Sequence, residues 1–557
     1  MEKIWLRNYP SGVPAEIDPR RYGSLKQIFE ESFQKFRERP AYTNMDVTLT
    51  YGDLDELSRR FGAWLQKIAG LRKGDRVALM MPNILQYPIA IIGALRAGFT
   101  VVNTNPLYTP RELEHQLKDS GAKAIVILEN FAHVLQEVIA RTAVEHVIVT
   151  GVGDLLGFPK SLLVNFVIRH VRKQVPDYQL PGALRFNRVL GAGRSLKLEA
   201  VDIGHEDIAF LQYTGGTTGV SKGAILTHRN MVANVLQSGA WLSKATDKNR
   251  DIVITALPLY HIFSLTANCL VFMESGAQNI LITNPRDFPA FVKELKKYRF
   301  TYVSGVNTLF NALLNTPGFD TVDFSRLSIT LGGGMAVQRA VAERWKQVTG
   351  NVLTQAWGLT ETSPAACINP FENQEFNGSI GLPISSTEVS IRDDDGRELG
   401  INEVGEICVR GPQVMRGYWN RPDETEKVMF AGGWLRTGDI GRMDDRGFVY
   451  IEDRKKDMIL VSGFNVYPNE VESVAVTHPG VLEVAAVAQP DDRAGEVVAL
   501  FVVRKDPNLT AEELIEHSRK SLTGYKVPKY VYFRNELPKT NVGKILRRAL
   551  RDELVKS

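Results

Sequence analysis

An α/β architecture is what this sequence predicts, and three observations carry the prediction. At 557 residues the chain exceeds what one hydrophobic core usually supports, so two or more structural units are expected. Between residues 75 and 130, short apolar runs alternate with helix-like stretches, the rhythm of layered α/β structure. That rhythm then breaks twice toward the C-terminus, first into closely spaced turns and then into a compact mixed unit.

Taken in chain order, residues 76–81 and 124–128 read as strands because they are short and almost wholly apolar, and 87–97 reads as the helix between. Residues 208–211 form another strand-like run, and Thr227 to Asn230 read as a helix start. From 379 to 414, apolar runs are broken by Asp393-Asp-Asp-Gly396 and Arg410-Gly-Pro412, which read as turns between antiparallel strands. A small β unit is expected there. Past Lys456, the apolar runs 484–488 and 497–503 with helix-like flanks predict an α+β domain of about a hundred residues.

Composition excludes several classes. With 44% hydrophobic and 23% charged residues the chain is globular rather than disordered or fibrous. Its 67 basic against 63 acidic residues are too evenly matched for a nucleic-acid partner, while anionic ligands or acidic lipid stay open. The cysteines, Cys269, Cys367 and Cys408, are odd in number and far apart, which argues against disulfides and zinc and fits a reducing cytosol. Neither a signal peptide nor a run near the eighteen or so apolar residues of a membrane span is visible, so a cytoplasmic protein is expected. One segment stands apart: Leu155, Leu156, Leu162, Leu163, Phe166, Val167 and Val171 recur at helical spacing among Lys160, Arg169, Arg172 and Lys173, with Pro159 interrupting early. It reads either as a peripheral contact with an anionic membrane, on the inner face of the cell membrane, or as a helix packed on the protein's own core.

Five short stretches carry the chemistry. Tyr213-Thr-Gly-Gly-Thr-Thr-Gly-Val-Ser-Lys-Gly-Ala224 packs glycines, hydroxyls and one lysine into a loop suited to phosphate. Lys222 follows Ser221 and precedes Gly223, so this is not a Walker loop, and a plain surface turn is the competing reading. Gln355-Ala-Trp-Gly-Leu-Thr-Glu361 offers a stacking ring and a hard oxygen ligand, or merely a capped turn. Asp439, in Gly433-Trp-Leu-Arg-Thr-Gly-Asp439, suits a ribose diol, or again a turn. A charged crossing, Asp453-Arg-Lys-Lys-Asp457, runs into a strand and the glycine turn Ser462-Gly-Phe-Asn465. Finally Lys544, in Pro538-Lys-Thr-Asn-Val-Gly-Lys-Ile-Leu-Arg-Arg548, sits in a loop that also reads as a solvated basic tail.

In this order, these segments resemble the adenylate-forming superfamily of acyl-CoA synthetases, peptide synthetase adenylation domains and luciferases, and the resemblance spans nearly the whole chain. Residues 432–456 look like the signature of fatty acyl-CoA synthetases. With 257–263, 282–287 and 457–470, the chain is most similar to the bacterial long-chain fatty acid–CoA ligases among them. The resemblance implies a large N-terminal domain, 1–455, of layered α/β subdomains plus a small β-barrel-like unit, and a small mobile α+β C-terminal domain, 456–557, hinged at Lys456. It implies ATP-dependent activation of a fatty acid to acyl-AMP, then transfer to coenzyme A.

By the same resemblance, Thr214, Gly215, Gly216, Thr217, Thr218, Gly219 and Lys222 hold the β- and γ-phosphates, and Thr360 contacts the α-phosphate. Glu361, with Thr214, takes Mg²⁺. Gly332, Gly333, Gly334, Trp357 and Gly358 frame the adenine, Asp439 and Arg454 bracket the ribose, and Lys544 reaches the reacting carboxylate. Lys456 is the hinge, Gly463 and Phe464 line the pantetheine channel after rotation, and His261 gates that channel or serves structure. The family usually has Tyr where this chain has Trp357. Implied partners are a fatty acid, ATP and coenzyme A, a second copy of the chain in a homodimer, and no nucleic acid. The competing functions are a medium-chain or other acyl-CoA ligase, an acyl-AMP ligase serving a carrier protein, and a catalytically silent acyl-adenylate or lipid binder.

Overall fold

A computed structural model describes residues 2–214, 221–243, 245, 251–491, 493–540 and 542–556. Among those residues one sheet has seven strands, in the order Leu184–Arg185, His146–Thr150, Ala124–Leu128, Arg76–Met80, Thr100–Asn103, Ile208–Thr214 and Lys222–Thr227. The first six run parallel, and Lys222–Thr227 returns antiparallel to Ile208–Thr214. Ala124–Leu128 is buried along its whole length, which is why it reads as an unbroken apolar run rather than an alternating one.

A second sheet of nine described strands is parallel through its middle: Leu353–Gly358, Ile329–Gly332, Tyr302–Gly305, Ile252–Thr255, Gln278–Leu281 and Pro40–Asn44. One continuous core joins the two sheets, with Phe61, Tyr87, Phe210, Phe272 and Trp345 all buried in it. Helix starts follow local chemistry. Thr227 caps His228–Leu242, its hydroxyl accepting from Asn230 N while the Asn230 side chain accepts from Thr227 N, and Thr50 with Asp53 and Thr109 with Glu112 repeat the device.

The β unit expected between 379 and 414 is present, and it draws on later residues as well. Glu388–Arg392, Gly405–Arg410, Trp434–Met443, Met429–Phe430 and Val449–Arg454 make a five-stranded antiparallel sheet. From Ile459 onward the chain builds its own sheet around the long hairpin Val481–Asp491 and Gly495–Arg504. Successive residues of this hairpin feed opposite faces: Val484, Ala486, Val498 and Leu500 enter one core, and Ala485, Val487, Ala499 and Phe501 another. Helices Pro468–Ala475, Ala511–Arg519 and Arg547–Lys556 complete this part.

The segment set apart by its helical spacing is a helix, Lys160–Phe166, that runs into a π turn, Val167–Val171. Pro159 stands before its first residue and so does not interrupt it. The segment's apolar residues divide: Phe158 is 85% exposed and Leu162, Leu163, Phe166 and Val171 are exposed as well, whereas Leu156, just before the helix, is buried in the main core and Leu155, Val164 and Ile168 pack against it.

Candidate active site

The C-terminal ends of parallel strands converge on a cleft of about 1250 Å³. Thr214 ends one strand, Gly333 and Gly334 follow another, and Trp357 and Gly358 close a third. Thr214, Lys222, His261, Gly333, Gly334, Trp357, Gly358, Thr360, Glu361, Asp439, Arg454, Lys456 and Lys544 all line this one cleft, although they span 331 positions from Thr214 to Lys544 inclusive. Gly215, Gly216, Thr217, Thr218 and Gly219 lie outside the described residues. Thr214 and Lys222 face each other in register at the ends of the antiparallel strands Ile208–Thr214 and Lys222–Thr227.

Two glycines are demanded by their surroundings. A side chain at Gly358 would meet the Pro364 carbonyl oxygen at 1.7 Å, and Gly334 has φ +76° with Lys544 Cε 3.3 Å from where its Cβ would stand. At Gly332 the missing side chain makes room for Leu353 and Val337, on the packing side of the strand. Gly463 and Phe464 are not part of the cleft: Phe464 is 56% exposed, and its ring stacks on Tyr525 with centroids 4.9 Å apart.

Asp439 is buried and receives a hydrogen bond from Trp357 Nε1 at 2.8 Å, with Arg454 Nε 3.5 Å from its other oxygen. Asp439 and Arg454 are cross-strand partners, which fixes that pair. The indole at position 357 therefore supplies a donor aimed at the carboxylate, besides a flat face. Glu361 accepts a 2.7 Å hydrogen bond from the Tyr418 hydroxyl. The Lys222 ammonium lies 5.3 Å from the centre of the Tyr418 ring and pairs with Glu424. Hydrogen bonds from Lys222 and Lys427 hold the Glu424 carboxyl down at about 2. Tyr418 thus links the lysine and the carboxylate that the resemblance assigns to the β- and γ-phosphates and to Mg²⁺. Nothing in its local spacing marks it; the residue is brought in by pairing, Tyr418 bridging Ala224 and Trp419 N donating to Gly223 O at 2.8 Å.

Lys544 stands on a tight turn in which Thr540 N donates to Lys544 O at 2.7 Å and Lys544 N to Thr540 Oγ1 at 3.1 Å. Gly543, at φ +83°, lets this turn dock, its carbonyl accepting from Thr308 Oγ1 at 2.8 Å. Burial, with the Arg454 charge adding to it, lowers the Lys544 ammonium to about 8. His261 accepts from Phe263 N at 3.3 Å, and burial, with Lys544 nearby, pushes its imidazole down to about 3, so it is neutral near pH 7. All three cysteines are buried, and burial raises the Cys269 thiol to about 11, far from a nucleophile.

Among the described residues no three His, Cys, Asp or Glu side chains gather as a metal cage. Glu361 and Thr214 line the same cleft, and a carboxylate with a hydroxyl fits a cation carried in on phosphates, the usual habit of Mg²⁺.

Residues 29–419 match the AMP-binding enzyme family, and residues 470–544 match the AMP-binding enzyme C-terminal domain. A long-chain-fatty-acid–CoA ligase of Escherichia coli O157:H7 is 58% identical over 553 residues, covering 99% of this chain and 98% of its own. One of Yersinia pestis is 58% identical over 556 residues, covering 100% and 99%. Among solved structures, ATP-bound MatB from Rhodopseudomonas palustris superposes with a TM-score of 0.80 at 27% identity, covering 95% of this chain and 99% of that one. An anthranilate CoA ligase, AuaEII, in complex with anthranoyl-AMP shares the fold with a TM-score of 0.86 at 24% identity, covering 97% and 99%.

Proposed function

The chain belongs to the AMP-binding enzyme family, and from this we infer that it is a long-chain fatty acid–CoA ligase, joining a fatty acid to coenzyme A through an acyl-adenylate at the expense of ATP. The observation that carries the reading is Lys544, brought from the C-terminal part of the chain to within 3.3 Å of the Cβ position of Gly334, in the cleft that also holds Thr214, Trp357, Glu361 and Asp439. Full-length likeness to long-chain ligases supports the substrate class over medium-chain acids, a carrier-protein acceptor or a silent binder.

In the first half-reaction the fatty carboxylate oxygen attacks the α-phosphorus and the bond to pyrophosphate breaks. Charge is what the protein must manage there. Lys544 orients the carboxylate, Thr214, Thr217, Thr218 and Lys222 hold the departing pyrophosphate, and Thr360 contacts the α-phosphate. Lys222 must exchange its partner Glu424 for phosphate when ATP enters. Asp439 accepts from the ribose hydroxyls while Trp357 Nε1 holds its far oxygen and Arg454 flanks it. Glu361 and Thr214 would hold Mg²⁺, which supplies charge neutralisation on the phosphates.

In the second half-reaction the coenzyme A thiol attacks the acyl carbon, its proton is lost and AMP leaves. Lys544 is then no longer needed. Rotation of residues 456–557 about Lys456, away from 1–455, carries Lys544 out and brings the exposed Gly463 and Phe464 turn toward the pantetheine arm. Contact with an anionic membrane through 158–171 accounts for an exposed apolar face with basic and no acidic residues. No described helix is long and apolar enough to cross a membrane.

The test is AMP release dependent on coenzyme A across acids from four to eighteen carbons. Turnover rising toward the long acids is expected; release without coenzyme A, or a maximum at the short acids, overturns the reading.

A further inference from the structure

The last helix, Arg547–Lys556, opens three residues after Lys544, and its first side chain is a guanidinium enclosed by acids. Arg547 donates through Nε and Nη2 to the two oxygens of Glu472 at 3.0 and 2.8 Å, and through Nη2 to Asn469 Oδ1 at 2.7 Å. Its Nη1 reaches Asp453 Oδ1 at 3.4 Å, with Asp457 Oδ2 at 3.7 Å. One turn further, Arg551 donates to the Lys456 carbonyl at 3.2 Å and to Asp457 Oδ1 at 3.0 Å. Two arginines on one helix face therefore grip the chain on both sides of residue 456.

These partners divide in a telling way. Glu472 and Asn469 lie on Pro468–Ala475 and would travel with Lys544 in any turn about residue 456. Asp453 lies in the strand Val449–Arg454 and would stay behind. Its side chain is only 1% exposed, and besides Arg547 it accepts from Asn469 N at 2.8 Å and from Arg454 N at 2.7 Å. A carboxylate so enclosed is costly without its charged partner, so the two parts of the chain are held together by a contact that neither can abandon freely. Consistent with that dependence, burial drives the Asp453 carboxyl up to about 6 even with Arg547 beside it.

We propose that Arg547 is a positioning residue for the first half-reaction: by clasping Asp453 across residue 456 it holds the Lys544 turn in the cleft, and opening of the clasp accompanies the turn to the second. The inference rests on the two-step reaction inferred above and adds a latch to it. Glu472 keeps Arg547 charged and oriented in both arrangements, whereas Asp453 is the part of the clasp that is made in one of them.

Asp453→Asn tests it, because the substitution removes the charge across residue 456 and leaves the Arg547–Glu472 pair whole. Fatty-acid-dependent exchange of pyrophosphate into ATP should fall about tenfold in kcat with KM for ATP unchanged, the scale of one lost charge-assisted hydrogen bond. Conversion of supplied acyl-adenylate to thioester should hold or rise. Arg547→Lys, which keeps the enclosed positive charge but not its fork, should shift the same ratio in the same direction by less. A merely structural role would depress both half-reactions together, and that result in both variants, or an unchanged ratio, overturns the latch. Absence of exchange in the unsubstituted protein would instead overturn the reading of its function.

Discussion

In the proposed first half-reaction the ammonium of Lys544 orients the carboxylate, and its surroundings work against it. Burial and the neighbouring Arg454 lower it to about 8 from an ordinary 10.5. A lowered lysine binds fewer protons folded than unfolded between those two values, so its burden on the docked arrangement is present in full below pH 8 and is relieved as pH climbs from about 8 to 10.5. Activity has the opposite slope. For pyrophosphate exchange, kcat/KM reports the free enzyme and should fall as pH passes about 8. In Lys544→Arg, whose guanidinium stays charged, that limb should vanish from whatever activity remains; a limb at the same pH in both proteins would belong to another group. Lys544 was singled out in the sequence only through the resemblance carried by the five segments in order, since its loop alone also reads as a solvated basic tail. Tyr418 and Glu424 were not, since they meet Glu361 and Lys222 only through strand pairing between residues far apart in the chain. Trp357 lies between these cases: its stacking face is read from residue type, while the bond from its Nε1 to Asp439 needs strands of two different sheets brought together.

At the scale of the element, the 158–171 segment shows how far periodicity reaches. Helical spacing of its leucines was visible, as were the strand 124–128 and the run 208–211 of a strand that extends to Thr214, because each is a local pattern of apolar residues. The direction that face points was not visible, because an amphipathic helix on the core and one on a membrane share a sequence pattern. Leu162, Leu163 and Phe166 point outward while Leu156, Val164 and Ile168 meet the core, so the segment divides between the two. Its cations are not equivalent: Arg169 pairs with buried Glu129 at 2.6 Å, a carboxylate it shares with Arg185, whereas among the described residues Arg172 and Lys173 form no ion pair. Arg172→Glu with Lys173→Glu should therefore weaken pelleting with phosphatidylglycerol vesicles by at least tenfold, at about 1 kcal/mol for each basic residue near an anionic surface. Leu162→Ser with Phe166→Ser should weaken it comparably, and neither pair should alter turnover of an acid presented without vesicles. Equal pelleting of all three proteins would remove the membrane from the account.

At the scale of the whole molecule, the question is whether one chain performs two chemistries by exchanging the groups presented to one cleft. The structure holds the first set: Lys544 is in place, while Gly463 and Phe464 face solvent. If residues 456–557 turn as a body, then removing the charge of Lys544 and obstructing the turn should damage opposite halves of the reaction. Lys544→Ala should lower pyrophosphate exchange by roughly a hundredfold or more, as expected for a preorganised charge at a developing negative centre, while supplied acyl-adenylate still yields thioester. Lys456→Pro fixes φ at the proposed hinge without touching any group assigned to the first step, so exchange should persist and thioester formation from acyl-adenylate should fall at least tenfold. The crossing of the two results is the informative outcome. A protein in which both substitutions depress the same half-reaction would present all its groups at once, and Gly463 and Phe464 would then need a purpose on the surface where they now lie.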